Sequence, residues 1–109
     1  MVRQPDSLQG TLDLLILKSL EHGANHGFGI ALHIQMISDG LLRVEEGSLY
    51  PALHRLAREK LLAASWKTTE NGRRARYYKL TPRGTRRLAD AQESWAALVK
   101  GISKVLRFA

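Results

Sequence analysis

A chain of 109 residues suits one domain, or one domain with an added pairing element, and its 44% hydrophobic content excludes disorder throughout. It has no cysteine, which excludes disulfides, thiolate zinc sites and cysteine nucleophiles. The net charge is +7, and the excess lies in one place: residues 55–87 hold eleven basic and two acidic side chains, a net +9, while the remainder sums to −2.

A patch of that density calls for a polyanionic partner or for a solvated face. No apolar stretch approaches the roughly 20 residues that a membrane helix needs. Residues 1–7 are polar, and Asp13 and Lys18 interrupt the first apolar run, so no secretory leader is visible. These features predict a soluble cytoplasmic protein without a membrane partner.

In chain order, the first element is a helix over 8–22. Leu8, Leu12, Leu15, Ile16 and Leu20 share a face, and Gly23 is placed to cap its end. Residues 23–27 read as a short connector. A second helix over 27–38 has Ile30, Ile34 and Ile37 as its inner stripe, and Asp39-Gly40 signals a turn. A third helix runs from Glu46 to Lys60, its opening acids suited to the positive end of the dipole. Leu49, Leu53, Leu56 and Ala57 form its buried stripe, and Pro51 is expected in its first turn. Ser48, Tyr50, Pro51, His54, Arg55 and Arg58 remain for its outer face.

Two strands follow, near 62–68 and 76–80. Asn71-Gly72 between them is a hairpin signal, because both residues tolerate positive φ. Trp66, Tyr77 and Tyr78 read as packing residues of this hairpin, rather than as platforms for bases. Thr81-Pro82 then supplies an N-cap and a first helical residue for a segment that runs to the end of the chain. Its apolar positions repeat at seven: Leu88, Trp95 and Ile102 on one line, Ala91, Leu98 and Val105 on the other, broadened by Val99 and Leu106.

The predicted fold is mainly α with a small β component. It is a winged helix-turn-helix over 1–80 with a two-stranded wing, joined to a long C-terminal dimerisation helix over 81–109. A helix fits the DNA major groove and offers its side chains to base edges. The third helix is thus the candidate reader, with Ser48 and His54 as hydrogen-bonding groups, Tyr50 for phosphate, Pro51 beside it and Arg55 for phosphate or guanine. Lys67, Arg73, Arg74 and Arg76 form a basic wing suited to the backbone or minor groove. Leu88, Ala91, Trp95, Leu98, Val99, Ile102, Val105 and Leu106 are the expected homodimer seam. A tryptophan in that seam with the small neighbours Ala91, Ala96 and Ala97 suits a pocket for an apolar or aromatic effector, lined by Trp95, Ala91 and Leu98.

No enzyme chemistry stands out. The four histidines lack metal-ligand spacing with a carboxylate, and His22 and His26 straddle Gly23. Gly27-Phe28-Gly29 lacks the later glycine and the preceding strand of a phosphate loop. Neither catalytic residues nor a metal or other cofactor is expected. Two other classes remain open, a winged helix that binds an acidic protein and an RNA-binding module.

Four segments resemble the PadR family of bacterial transcriptional regulators. Residues 10–17 (GTLDLLIL) look like its opening helix, and His26-Gly27-Phe28-Gly29-Ile30 is similar to its H-G-Y-x-I segment with phenylalanine for tyrosine. Residues 47–56 (GSLYPALHRL) resemble its recognition helix, and residues 76–84 (RYYKLTPRG) its wing-to-helix junction. The resemblance implies a homodimeric winged-helix repressor of double-stranded DNA at a palindromic operator. It also implies, for some members, control by a small apolar or phenolic effector at the dimer seam.

Overall fold

A computed structural model describes residues 7–108, and their side chains from residue 10 onward. Leu8, the first member of the expected stripe, therefore falls outside the described side chains. The elements are α1 (Ser7–Ser19), β1 (Asn25–His26), α2 (Gly27–Ile37), α3 (Glu46–Arg58), β2 (Leu62–Thr68), β3 (Arg74–Leu80) and α4 (Pro82–Phe108). The helical and hairpin elements come in the expected order. The connector before α2 holds one element that was not expected, the two-residue β1. It pairs antiparallel with β3, Asn25 opposite Tyr78 and His26 opposite Tyr77, and extends the hairpin into a sheet of order β1-β3-β2.

The core gathers Ile16, Leu17 and Leu20 of α1, Ile30 and Ile34 of α2, Leu49, Leu53 and Leu56 of α3, Leu61 and Leu62, Tyr78 and Leu88. α1 packs against α2, α3 and α4, so more of its circumference is covered than one stripe allows. Leu17, off the expected stripe, is fully buried for that reason, and Leu12, Leu14 and Leu15 are partly buried. A helix enclosed from several sides loses its clean periodicity. α1 also stops earlier than expected. Its last turn tightens through i to i−3 bonds from Leu20 to Leu17 and from Glu21 to Lys18, and Gly23 lies beyond it without a left-handed φ.

Ile37 departs from the expected stripe of α2. It is the last helical residue and is 71% exposed, because the left-handed turn at Asp39 (φ 56°) and Gly40 (φ 80°) carries the chain away there. In α3 the expected position of Pro51 is also corrected. The helix begins at Glu46 and continues through Pro51, which sits inside it beyond the first turn. The missing N–H leaves the carbonyl of Gly47, four residues earlier, without that helical partner. Both residues are exposed, so water can serve it.

The junction into α4 is tightly built. The Thr81 hydroxyl accepts from the Gly84 N–H at 3.0 Å and donates to the Lys60 carbonyl at 2.7 Å, while the Thr81 N–H bonds the Leu61 carbonyl at 3.1 Å. A threonine N-cap and a proline at the first helical position thus start α4 as expected. Gly84 is required by close approach: a Cβ there would collide with the Leu61 carbonyl oxygen. Over its 27 residues α4 outruns the core, and the molecule measures 55 × 29 × 23 Å. Only its first turns are covered.

Candidate nucleic-acid interface

α3 divides cleanly. Leu49, Ala52, Leu53 and Leu56 are buried, and Ser48, Tyr50, Pro51, His54 and Arg58 are exposed on the opposite side. Arg55, expected among the outer residues, turns back into the protein. Its Nη2 donates to Asp13 Oδ1 on α1 at 2.6 Å, and its Nη1 lies 3.8 Å from Glu59. The two side chains of the Arg55–Asp13 pair are only 22% and 20% exposed. The hydrogen bond to Asp13 raises the guanidinium pKa, against the desolvation that burial imposes. Arg55 therefore ties α3 to α1 and is largely withdrawn from the outer face of α3. Its partner was visible in the sequence as the one acid within the apolar run of α1, where a charge needs a mate.

The wing is set by register. Leu62 to Thr68 pair antiparallel with Leu80 to Arg74, so Ala64 and Tyr78, Trp66 and Arg76, and Thr68 and Arg74 share one face. The base of this face is core, and its outer part carries Trp66, Arg74 and Arg76 at the surface. The turn is a three-residue loop in which Gly72 alone is left-handed (φ 79°), closed by bonds from Thr69 N–H to the Arg73 carbonyl at 2.7 Å and from Gly72 N–H to the Thr69 carbonyl at 2.9 Å. Asn71 does not take positive φ, which corrects the expectation for the Asn-Gly pair; the geometry is that of a turn followed by a glycine bulge.

Lys67 separates from the other wing cations. Strand alternation puts it on the face opposite Trp66, with its ammonium 5.6 Å from the centroid of the Tyr77 ring. Arg74 and Arg76 stay together, the first 5.4 Å from the Trp66 centroid and the second 6.0 Å from that of Tyr78. Burial pushes the Tyr78 phenol above the usual tyrosine range, opposed by the Arg76 charge. Tyr78 is core and Tyr77 half-buried, as packing residues should be. Trp66 is not: it is 57% exposed on the arginine side.

Between α3 and the wing lies an open groove of about 410 Å³, lined by Tyr50 and His54 of α3, Trp66, Arg74 and Arg76 of the hairpin, and His26 and Phe28 at the start of α2. Sequence reasoning missed His26, Phe28 and Trp66. His26 caps α2, its Nδ1 accepting from the Gly29 N–H at 3.1 Å, and its ring meets the edge of Tyr77 at 5.1 Å. A hydrogen-bond-accepting Nδ1 leaves the neutral ring's proton on Nε2. At Gly27 a Cβ would lie 2.7 Å from the Tyr50 ring, so the ring occupies space that a side chain there would claim. Tyr50 thus rests on the first turn of α2.

The expected seam on α4 divides as well. Leu88 is 2% exposed within the chain's own core and has no surface for a partner, which removes it from the expected interface. Ala91 and Leu98 are half-buried, and Trp95, Val99, Ile102, Val105 and Leu106 are exposed. No group of three or more metal-binding side chains occurs among the described residues. No helix among them is long and apolar enough to cross a membrane.

Three helices, a basic hairpin and a long final helix define a winged-helix regulator, and comparison with known proteins agrees. Residues 16–90 match the transcriptional regulator PadR-like family, and the chain belongs to it. It is 33% identical to the transcriptional regulator Rv3488 of Mycobacterium tuberculosis over 86 residues, 79% of each chain. A solved transcriptional regulator from Clostridium thermocellum superposes with a TM-score of 0.80 at 30% identity, covering 89% of this chain and 94% of the other. A PadR family regulator from Clostridium difficile does so at 0.74 and 28%, covering 87% and 97%. Proteins of this family are DNA-binding transcriptional regulators, not enzymes.

Proposed function

We propose that this regulator is a repressor that acts as a homodimer on a palindromic operator, with α3 in the major groove, the hairpin as its wing and the two copies joined along α4. The observation that carries this reading is the division of exposed surface. Polar and basic side chains cover α3 and the hairpin, while α4 beyond Leu88 leaves an apolar stripe in water. A contiguous apolar stripe on a soluble regulator marks a protein contact. Two copies related by a two-fold axis would read half-sites about 34–36 Å apart, or a multiple of that.

Ser48 and His54 are the base-reading candidates, with Tyr50, Pro51, Arg73, Arg74 and Arg76 against the backbone. Selection from random duplex DNA tests the reading: the bound pool should converge on an inverted repeat, and a pool of unrelated or single half-sites defeats it. Placed over a promoter, the selected repeat should lower transcription in the presence of the protein. Stimulation would make the protein an activator instead.

Trp95 supports a second element of the proposal, a flat apolar or aromatic effector held between the copies. Trp95 is 39% exposed in the middle of the stripe and has Ala91, Ala96 and Ala97 near it in sequence, which leave room beside it. A planar ligand stacked on the indole gains about 0.5–1.5 kcal/mol beyond its area burial. It controls the operator only if the liganded dimer holds its two α3 helices at a different spacing. Fluorescence titration with flat aromatic compounds should quench the native chain and not Trp95→Phe, in which Trp66 still emits. Equal quenching in both places the ligand elsewhere.

A further inference from the structure

The groove between α3 and the hairpin is lined in part by three exposed aromatic rings, Phe28, Tyr50 and Trp66. Phe28 and Trp66 stand in water, and Tyr50 is held at the mouth against the first turn of α2. On the hairpin side each arginine lies over a ring, Arg74 at 5.4 Å from Trp66 and Arg76 at 6.0 Å from Tyr78. Trp66 and Arg76 are direct cross-strand partners, with Arg74 one pair further out on the same face. A guanidinium stacked on a ring uses its face and keeps its in-plane N–H donors free. Neither arginine has an acidic mate among the described ion pairs, unlike Arg55.

We propose that this groove seats one sugar–phosphate strand of the duplex, and that Trp66 is a positioning residue that fixes Arg74 toward a phosphate while its indole edge packs on the adjoining deoxyribose. The inference rests on the reading of α3 and the hairpin as the DNA-contacting pair. A major groove about 12 Å wide and a minor groove about 6 Å wide are separated by one backbone strand. A helix in the first and a hairpin tip in the second must straddle that strand, which then runs between α3 and the hairpin. The strand alternates an anion with an apolar sugar face, and the groove alternates arginine with aromatic ring. The phenol of Tyr50 adds a donor on the opposite wall.

Backbone contacts are sequence-independent, so a fixed mixed-sequence duplex serves as the probe. Affinity is measured across a salt series for the native chain, Trp66→Ala, Trp66→Phe, Arg74→Ala and the Trp66→Ala/Arg74→Ala pair. Losing one phosphate contact flattens the log–log salt slope by about 0.9. Trp66→Ala should weaken binding several-fold and flatten the slope as Arg74→Ala does. The pair should be no flatter than either single variant, and Trp66→Phe should keep the native slope.

A native slope in Trp66→Ala overturns the proposal, as does a pair whose slope loss is the sum of the two. Should Trp66→Ala show no cooperative thermal transition, duplexes carrying one neutral methylphosphonate at a time decide. The native chain and Trp66→Phe should be sensitive at a phosphate to which Arg74→Ala is indifferent. Equal sensitivity in Arg74→Ala rejects the seat. A native chain that binds no duplex defeats the DNA reading itself, whereas duplex binding with no effect at Trp66 defeats this inference alone.

Discussion

α3 and α4 are both amphipathic, and they end in opposite conditions. α3 uses its whole apolar stripe inside the chain and shows water Ser48, Tyr50, Pro51, His54 and Arg58. α4 buries Gly84 and Leu88 and shows water Trp95, Val99, Ile102, Val105 and Leu106. A polar face is stable as it stands and accepts a polar ligand without losing the fold. An apolar stripe forgoes about 25 cal/mol for every Å² left uncovered. In the proposed reading the first face meets nucleic acid and the second meets another copy of the chain. The two helices thus differ in where their missing partner comes from, not in how they are built.

The difference breaks most visibly at α4. Leu98→Glu with Ile102→Glu places uncompensated charges in the proposed seam, each costing about 3–5 kcal/mol where buried. Sedimentation should find monomers where the native chain gives dimers; a native monomer at micromolar concentration removes the seam. Next in size is Leu53→Ala at the buried face of α3, expected to lower stability by about 2–5 kcal/mol in thermal unfolding. Its counterpart Val105→Ala, made in the monomeric double-Glu background, should stay within about 0.5 kcal/mol. Comparable losses at the two positions would mean that α4 is covered within one chain.

Arg55→Ala should cost about 1.5–3 kcal/mol of stability, the range for a hydrogen bond to a charged group, by leaving Asp13 unmatched. The base preference of the selected pool should not move, and a changed preference would return Arg55 to the reading face. His54→Ala should act the other way, leaving the melting temperature alone and costing about 1–3 kcal/mol at particular base pairs. A uniform loss across all sites would make His54 a backbone contact. The smallest effect is at the turn, where Arg73→Ala should flatten the salt slope by about 0.9 with sequence preference unchanged. An unaltered slope takes Arg73 off the DNA.

Much of this was legible along the chain because it depends on near neighbours. The stripe Leu49, Leu53, Leu56 defines α3 by its period, and Thr81-Pro82 marks the start of α4 by capping chemistry. The basic hairpin followed from two strand-like runs about a turn. The misses share a different cause. Arg55 looked like an outer residue by helical angle, but a guanidinium on a long stem reaches whatever acid the fold brings near, and Asp13 lies 42 positions away. Lys67 stays in the hairpin, and only the register shows that it lies on the face opposite Trp66 and Arg76.

Composition and periodicity therefore determined the order of the helices and the hairpin, the basic segment and the apolar stripe of α4, because each is a property of residues within a few turns of one another. The family resemblance was legible on the same local segments. Only the tertiary structure decided which cations are free and which rings are exposed. Leu88 reads as the first rung of a seam in the heptad and lies in the core, because α1 covers the start of α4. Trp66 reads as packing and stands in the groove, because the sheet carries it past the edge of the core. Both outcomes depend on which surfaces meet, and a one-dimensional pattern specifies a face without specifying what lies against it.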